Sequence, residues 1–97
     1  MEKNKKTMRR IIRLDGRNMT DRLETHRYLM ENFNFPTYYG RNLDALYDLL
    51  TETRMPLKVI LTFTDELKAR QGDYGEALIR VFEAAASANP HLLFEEK

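Results

Sequence analysis

The chain has 97 residues, the length of one domain, and its 42% hydrophobic and 32% charged residues are ordinary for a soluble globular protein. It contains no cysteine, which excludes disulfide bonds and thiol catalysis, and no apolar run reaches the length of a transmembrane helix. The net charge of +1 is uneven: residues 1–37 carry nine Lys or Arg against five Asp or Glu (+4), and residues 38–97 carry seven against ten (−3), so the second half is expected to meet a basic partner.

The first part of the chain predicts a tail, a strand and a helix. Residues 1–7 are expected to form a flexible basic tail before a single domain over residues 8–97. No apolar segment follows the tail, so we expect a cytoplasmic protein without a signal peptide. Residues 8–14 predict a strand that ends in a turn at Asp15-Gly16. Thr20 or Asp21 is expected to cap a helix over about residues 23–32, which ends before Pro36.

The stretch over residues 36–50 is the most informative part of the sequence. An aromatic loop, Tyr38-Tyr39-Gly40, leads into a helix predicted from about residue 42 to residue 51 or 52. We expect one of the two tyrosines to pack inward and Gly40 to meet a backbone requirement. One helix face carries leucines expected in the core, namely Leu43, Leu46 and Leu50. Asp44 and Asp48 lie one turn apart on another face, where like charges cost about 0.2–0.5 kcal/mol but can meet a basic partner.

The second half predicts two more strands and two more helices. Residues 57–63, after Pro56, are β-branched and apolar on both faces, as in a central strand covered by helices. A short helix is predicted over residues 64–69, and a longer one is expected to start at a cap on Asp73 and to end at Asn89-Pro90. Residues 91–95 predict the last strand. The order favours an α/β fold, a three-stranded parallel sheet with right-handed crossovers packed with about four helices.

The sequence does not indicate an enzyme. His26 lies in the middle of a predicted helix near its apolar face, where a structural role is favoured, and His91 has no nucleophile or carboxylate beside it in the pattern. No motif of a nucleotide-binding loop or a metalloprotease occurs. Three acids on one helix do not supply the six or more oxygens that a hard cation needs, so we expect no metal and no cofactor at Asp44, Asp48 and Glu52.

The motif Tyr38-Tyr39-Gly40-x-Asn42-Leu43-Asp44-Ala45-Leu46-x-Asp48-x-Leu50 resembles the barstar family, the intracellular ribonuclease inhibitors. Further segments resemble the same family: residues 10–16 its first strand and turn, residues 55–57 the start of its second strand, and residues 76–82 its last helix. The resemblance covers nearly all of residues 8–95. It implies a barstar-like fold, in agreement with the predicted order of elements.

The resemblance also implies a function and a site. Members of the family plug a basic ribonuclease active site with an acidic helix and the loop before it. Asp48 would then be the leading anion among the cationic groups that normally hold RNA phosphate, and Asp44 a second anion. Tyr38 and Asn42 would frame the contact. The residues expected to bind the partner are Tyr38, Asn42, Asp44, Asp48, Thr51 and Glu52.

The sequence departs from barstar itself at three positions of the implied interface. Arg41 lies where barstar has an acid, Thr53 where it has a tryptophan, and Ala84 where it has a glutamate of the last helix. We expect Arg41 to tune the choice of partner and not to drive binding. Two explanations of Arg41 compete: the target carries an acid that meets it, or Arg41 only pairs with Asp44 and faces away from the partner.

The sequence therefore predicts an inhibitor of a small basic nuclease that is a monomer when free, with no small-molecule substrate and no membrane contact. A first alternative is an interaction module of the same fold with a partner that is not a nuclease. A second is a nucleic-acid-binding protein that uses the basic first half, but its arginines lie on several different elements, so direct binding of nucleic acid is ranked last.

Overall fold

A computed structural model describes residues 9–97; the expected basic tail over residues 1–7 and the predicted strand start at Met8 lie outside the described residues. Three strands form one parallel sheet in the order β1-β2-β3. This confirms the predicted α/β fold with four helices. In chain order the elements are β1 (Arg10–Asp15), a 3-10 turn (Gly16–Asn18), α1 (Arg22–Phe33), α2 (Leu43–Glu52), β2 (Leu57–Thr62), α3 (Thr64–Gln71), α4 (Asp73–Ala88) and β3 (Leu92–Glu96).

Strand β2 lies at the centre of the sheet, as its continuous apolar sequence predicts. Val59 is fully buried and is aligned with Ile12 of β1 and Phe94 of β3. Ile60, on the other face of β2, is also buried. The carboxyl ends of β1 and β2 come so close together that a Cβ on Gly16 would lie 2.5 Å from the carbonyl oxygen of Phe63, so only glycine fits there without a shift of the backbone.

Three helix boundaries show how the sequence directs the fold locally. The Asp21 side chain accepts a hydrogen bond from the Glu24 amide at 2.8 Å and so caps α1, as predicted. Helix α1 ends at Phe33, and the next residue, Asn34, has the left-handed conformation that asparagine tolerates. The predicted cap on Asp73 is wrong. Gly72, with φ 55°, separates α3 from α4 by a single residue, and Asp73 is already helical; its carboxylate lies in the first turn, where the helix dipole favours it.

The core lies between the sheet and the helices. Helix α2 packs along α4, and both direct their apolar faces to the same cluster as the sheet. The predicted core leucines of α2 are confirmed, because Leu46 and Leu50 are buried and Leu43 packs against the cluster from its edge. The opposite face of α2 is thereby left at the surface. No helix within residues 9–97 is both long and apolar enough to cross a membrane.

Candidate functional site

The two tyrosines before α2 have opposite environments. Tyr39 is 5% exposed and packs with its ring centroid 4.8 Å from that of Phe35. Its amide donates a hydrogen bond to the carbonyl oxygen of Pro36 at 3.0 Å, which closes a turn. Tyr38 is 82% exposed. As predicted, one tyrosine fixes the loop to the core and the other is presented at the surface.

His26 joins this loop to helix α1 through a contact with Tyr39. Its Nδ1 lies 2.6 Å from the Tyr39 hydroxyl, and its Nε2 lies 2.6 Å from the Tyr74 hydroxyl at the start of α4. Burial lowers the pKa of His26, so the imidazole is neutral at physiological pH, and one ring nitrogen donates while the other accepts. The predicted structural role of His26 is confirmed. Its two partners were missed, since they lie 13 and 48 residues away in the chain.

The start of α2 is fixed by Asn42. Its side-chain oxygen accepts a hydrogen bond from the Ala45 amide at 2.7 Å, and its side-chain nitrogen donates to the Gly40 carbonyl at 3.3 Å. The side-chain amide of Asn42 therefore caps helix α2. The backbone requirement expected at Gly40 takes a different form. The positive φ, 58°, belongs to Arg41, while Gly40 is restricted by space, because a Cβ there would lie 3.2 Å from that of Ala45.

The acidic side chains of α2 point to solvent. Asp44, Asp48 and Glu52 are exposed, and no ion pair within residues 9–97 uses any of them. Asp48 borders two surface depressions: it lines one of about 270 Å³ with Tyr38 and Glu52, and the other with Asp44 and Arg80 of α4. The structure thus brings Tyr38, Asp44, Asp48 and Glu52 together around one exposed helix face.

Two further predicted residues have local partners. The Thr51 hydroxyl donates a hydrogen bond to the carbonyl oxygen of Tyr47 at 2.9 Å, so its hydrogen bond is made within helix α2. The guanidinium of Arg41 donates to the sulfur of Met30 at 3.6 Å. An ion pair between Arg41 and Asp44, which one of the two explanations of Arg41 requires, is not formed in the described part of the chain.

The sequence missed two residues that adjoin the acids. Tyr47 and Arg80 line the depression that contains Asp44 and Asp48. The amphipathic pattern of α4 predicts that Arg80 lies on the solvent-exposed face of the helix. The pattern does not indicate which neighbouring helix lies beside Arg80. Among the described residues, no group of three or more His, Cys, Asp or Glu side chains is placed to hold a metal ion.

Comparison with known proteins assigns this architecture. The family model described as "Barstar (barnase inhibitor)" matches residues 9–94. The chain is also similar to a protein of Bacillus subtilis (strain 168) with the name "Putative ribonuclease inhibitor YrdF": the two are 38% identical over 79 residues, which cover 80% of this chain and 86% of that protein. The match includes both the loop of Tyr38 and the acidic helix α2. The chain therefore belongs to the barstar family.

Proposed function

We propose that this protein inhibits a ribonuclease by covering its active site with the exposed face of α2 and the loop before it. Membership of the barstar family and the similarity to a protein named as a ribonuclease inhibitor support the role. The observation that carries the proposed surface is the position of Asp44 and Asp48, which are exposed and unpaired within residues 9–97 and lie beside the 82% exposed Tyr38.

The proposed mechanism is the replacement of RNA phosphates by carboxylates. A ribonuclease binds the RNA backbone with cationic side chains, since each phosphate carries a negative charge. The carboxylates of Asp48 and Asp44 accept hydrogen bonds from such cations, and these charge-assisted bonds are stronger than neutral ones. While they occupy the site, RNA cannot enter it. The protein itself performs no chemistry in this scheme.

The scaffold supports such a surface because it is ordered in advance. Asn42 caps the helix that carries the acids, and the bonded pair of His26 and Tyr39 holds the loop that carries Tyr38. A surface that is already ordered loses less conformational entropy on binding, so more of its interaction energy appears as affinity.

Steady-state kinetics tests the proposal. A panel of small basic ribonucleases, barnase among them, is assayed for RNA cleavage at several concentrations of RNA and of this protein. We expect at least one enzyme to show a raised apparent KM with an unchanged kcat, the pattern of competition for the active site. A lowered kcat at unchanged KM would place the inhibitor elsewhere on the enzyme. Failure to inhibit any member of the panel would contradict the proposal.

A further inference from the structure

A groove runs between α2 and α4 beside the proposed binding face. We call it the α2–α4 groove and define it by Asp44, Tyr47, Asp48, Arg80 and Ala84. Its volume is about 660 Å³, and it is a shallow depression that is open to solvent. It therefore has room for side chains of a bound protein.

The groove carries charges of both signs. Asp44 and Asp48 contribute two carboxylates from α2, and Arg80 contributes a guanidinium from α4. The only acid that pairs with Arg80 in residues 9–97 is Glu76, one turn earlier, at 3.9 Å. Both side chains of that pair are more than half exposed, so water screens their attraction and the guanidinium can change partner at little cost.

This charge pattern restricts what can dock in the groove. A surface with cations alone would satisfy Asp44 and Asp48 but would place like charges against Arg80, and a like-charge contact disfavours a partner. A surface that also carries a carboxylate next to its cations would satisfy all three side chains. Ala84, one helical turn beyond Arg80, adds no charge and leaves space for that group to approach.

We infer that Arg80 selects a ribonuclease with a carboxylate on the rim of its cationic phosphate-binding site. The inference rests on the proposed function and specifies the partner of the same surface. Arg80 is a specificity-determining residue in this scheme: Asp44 and Asp48 recognise the phosphate-binding cations, and Arg80 distinguishes between nucleases that share those cations but differ at the rim.

Charge substitution tests the inference with the ribonuclease of the panel that the protein inhibits most strongly. Dissociation constants are measured for the wild type, Arg80→Gln and Arg80→Glu. The matched control is Arg70→Glu, which makes the same change in net charge at an exposed position of α3, outside the α2–α4 groove. We expect Arg80→Gln to weaken binding by about tenfold and Arg80→Glu by more, while the control changes affinity by less than about twofold.

A compensating change identifies the carboxylate. Replacing the rim acid of the ribonuclease by lysine should weaken its binding to the wild-type inhibitor. The same lysine variant of the ribonuclease should bind the Arg80→Glu inhibitor more tightly than the unchanged ribonuclease does. Equal or tighter binding by Arg80→Glu would overturn the inference.

The dissociation constant of Asp48→Asn, measured in the same series, distinguishes a failure of this inference from a failure of the proposed function. If Asp48→Asn weakens binding while Arg80→Glu does not, only the inference fails. If neither substitution matters, the α2 surface is not the interface and both fail.

Discussion

The hydroxyl of Tyr39 lies 2.6 Å from Nδ1 of His26, and this contact joins helix α1 to the loop that presents Tyr38. Both partners are buried, at 5% and 2% exposure. A neutral imidazole has one donor and one acceptor nitrogen, and with Tyr39 and Tyr74 as partners both are satisfied. The stability of the fold and the geometry of the binding loop therefore depend on the same hydrogen bonds.

Tyr39→Phe should lower the free energy of unfolding by about 1–3 kcal/mol, because it removes a hydroxyl and leaves a buried nitrogen of His26 without a partner. Urea unfolding followed by circular dichroism measures the change. Tyr74→Phe is the matched control: it removes the other partner, but Tyr74 is only half-buried, so water can replace its hydroxyl and the loss should be smaller. Equal stability of Tyr39→Phe and the wild type would show that the bond contributes nothing to the fold.

Stability should also depend on pH through His26. Burial lowers its pKa below the ordinary 6.5, so between the folded pKa and 6.5 the unfolded chain binds more protons than the folded protein. The contribution of neutral His26 to the free energy of unfolding is complete above pH 6.5. It declines as the pH falls below that value and is lost once the pH has passed the pKa of His26 in the folded protein. Urea midpoints at pH 7.5, 6 and 5 should therefore decrease in that order.

Substitution identifies the group responsible for this decrease of stability with falling pH. His26→Gln should remove the decrease between pH 6.5 and 5, whereas His91→Gln should retain it. The lowered pKa values of Asp15 and Glu95, held by hydrogen bonds from Arg17 and Lys58, act at lower pH, since the ordinary values of these carboxyls are 3.8 and 4.5. A slope that persists in His26→Gln would assign it to another group.

Arg41→Gly should raise the free energy of unfolding by about 0.5–1 kcal/mol. With φ at 58°, Arg41 adopts the left-handed conformation, which costs a non-glycine residue about 1–2 kcal/mol and glycine nothing; the greater freedom of glycine in the unfolded chain offsets part of the gain. Thermal unfolding measures the effect. Arg70→Gly, in the last turn of helix α3, should have the opposite sign, because glycine disfavours the helical conformation. A destabilised Arg41→Gly would mean that the contact with Met30 outweighs the strain.

Local patterns in the sequence predicted the element order, the central position of β2 and the division between Tyr38 and Tyr39. Each depends on signals within about ten residues, such as apolar runs and capping side chains. Contacts between distant segments were not predictable in this way. Nothing near Arg80 in the chain indicates that it lines the same depression as Asp48, because that arrangement arises from the packing of α4 on α2.

Two details at helix starts could not be predicted from residue type. Asp73 is a good capping residue by type, and Gly40 is the residue type most tolerant of unusual backbone. The chain instead turns at Gly72 and has its positive φ at Arg41. At Gly72 a single residue joins two packed helices, and this spacing, which residue type alone does not specify, sets the backbone path.

The association rate with a target ribonuclease should fall as salt concentration rises, but less steeply than for a strongly acidic inhibitor. The acids of α2 attract a basic enzyme, yet the whole chain has a net charge of +1. Salt screens such attraction over about 8–10 Å at physiological ionic strength. Stopped-flow association across a salt series measures the slope. A rate that increases with salt would mean that the partner presents an acidic face, contrary to the proposed mechanism.

Asp48→Ala tests the central claim most directly, by comparing inhibition with stability in one protein. Asp48 is exposed on the face of α2 opposite the buried Leu46 and Leu50, so its truncation leaves no cavity and should change the free energy of unfolding by less than about 0.5 kcal/mol. We expect inhibition of the target ribonuclease to weaken by at least about a hundredfold while the melting temperature stays within a few degrees. Asp65→Ala, an exposed acid of α3, should change neither. Unchanged inhibition, or a melting temperature that falls together with it, would contradict the role of Asp48 as the leading anion.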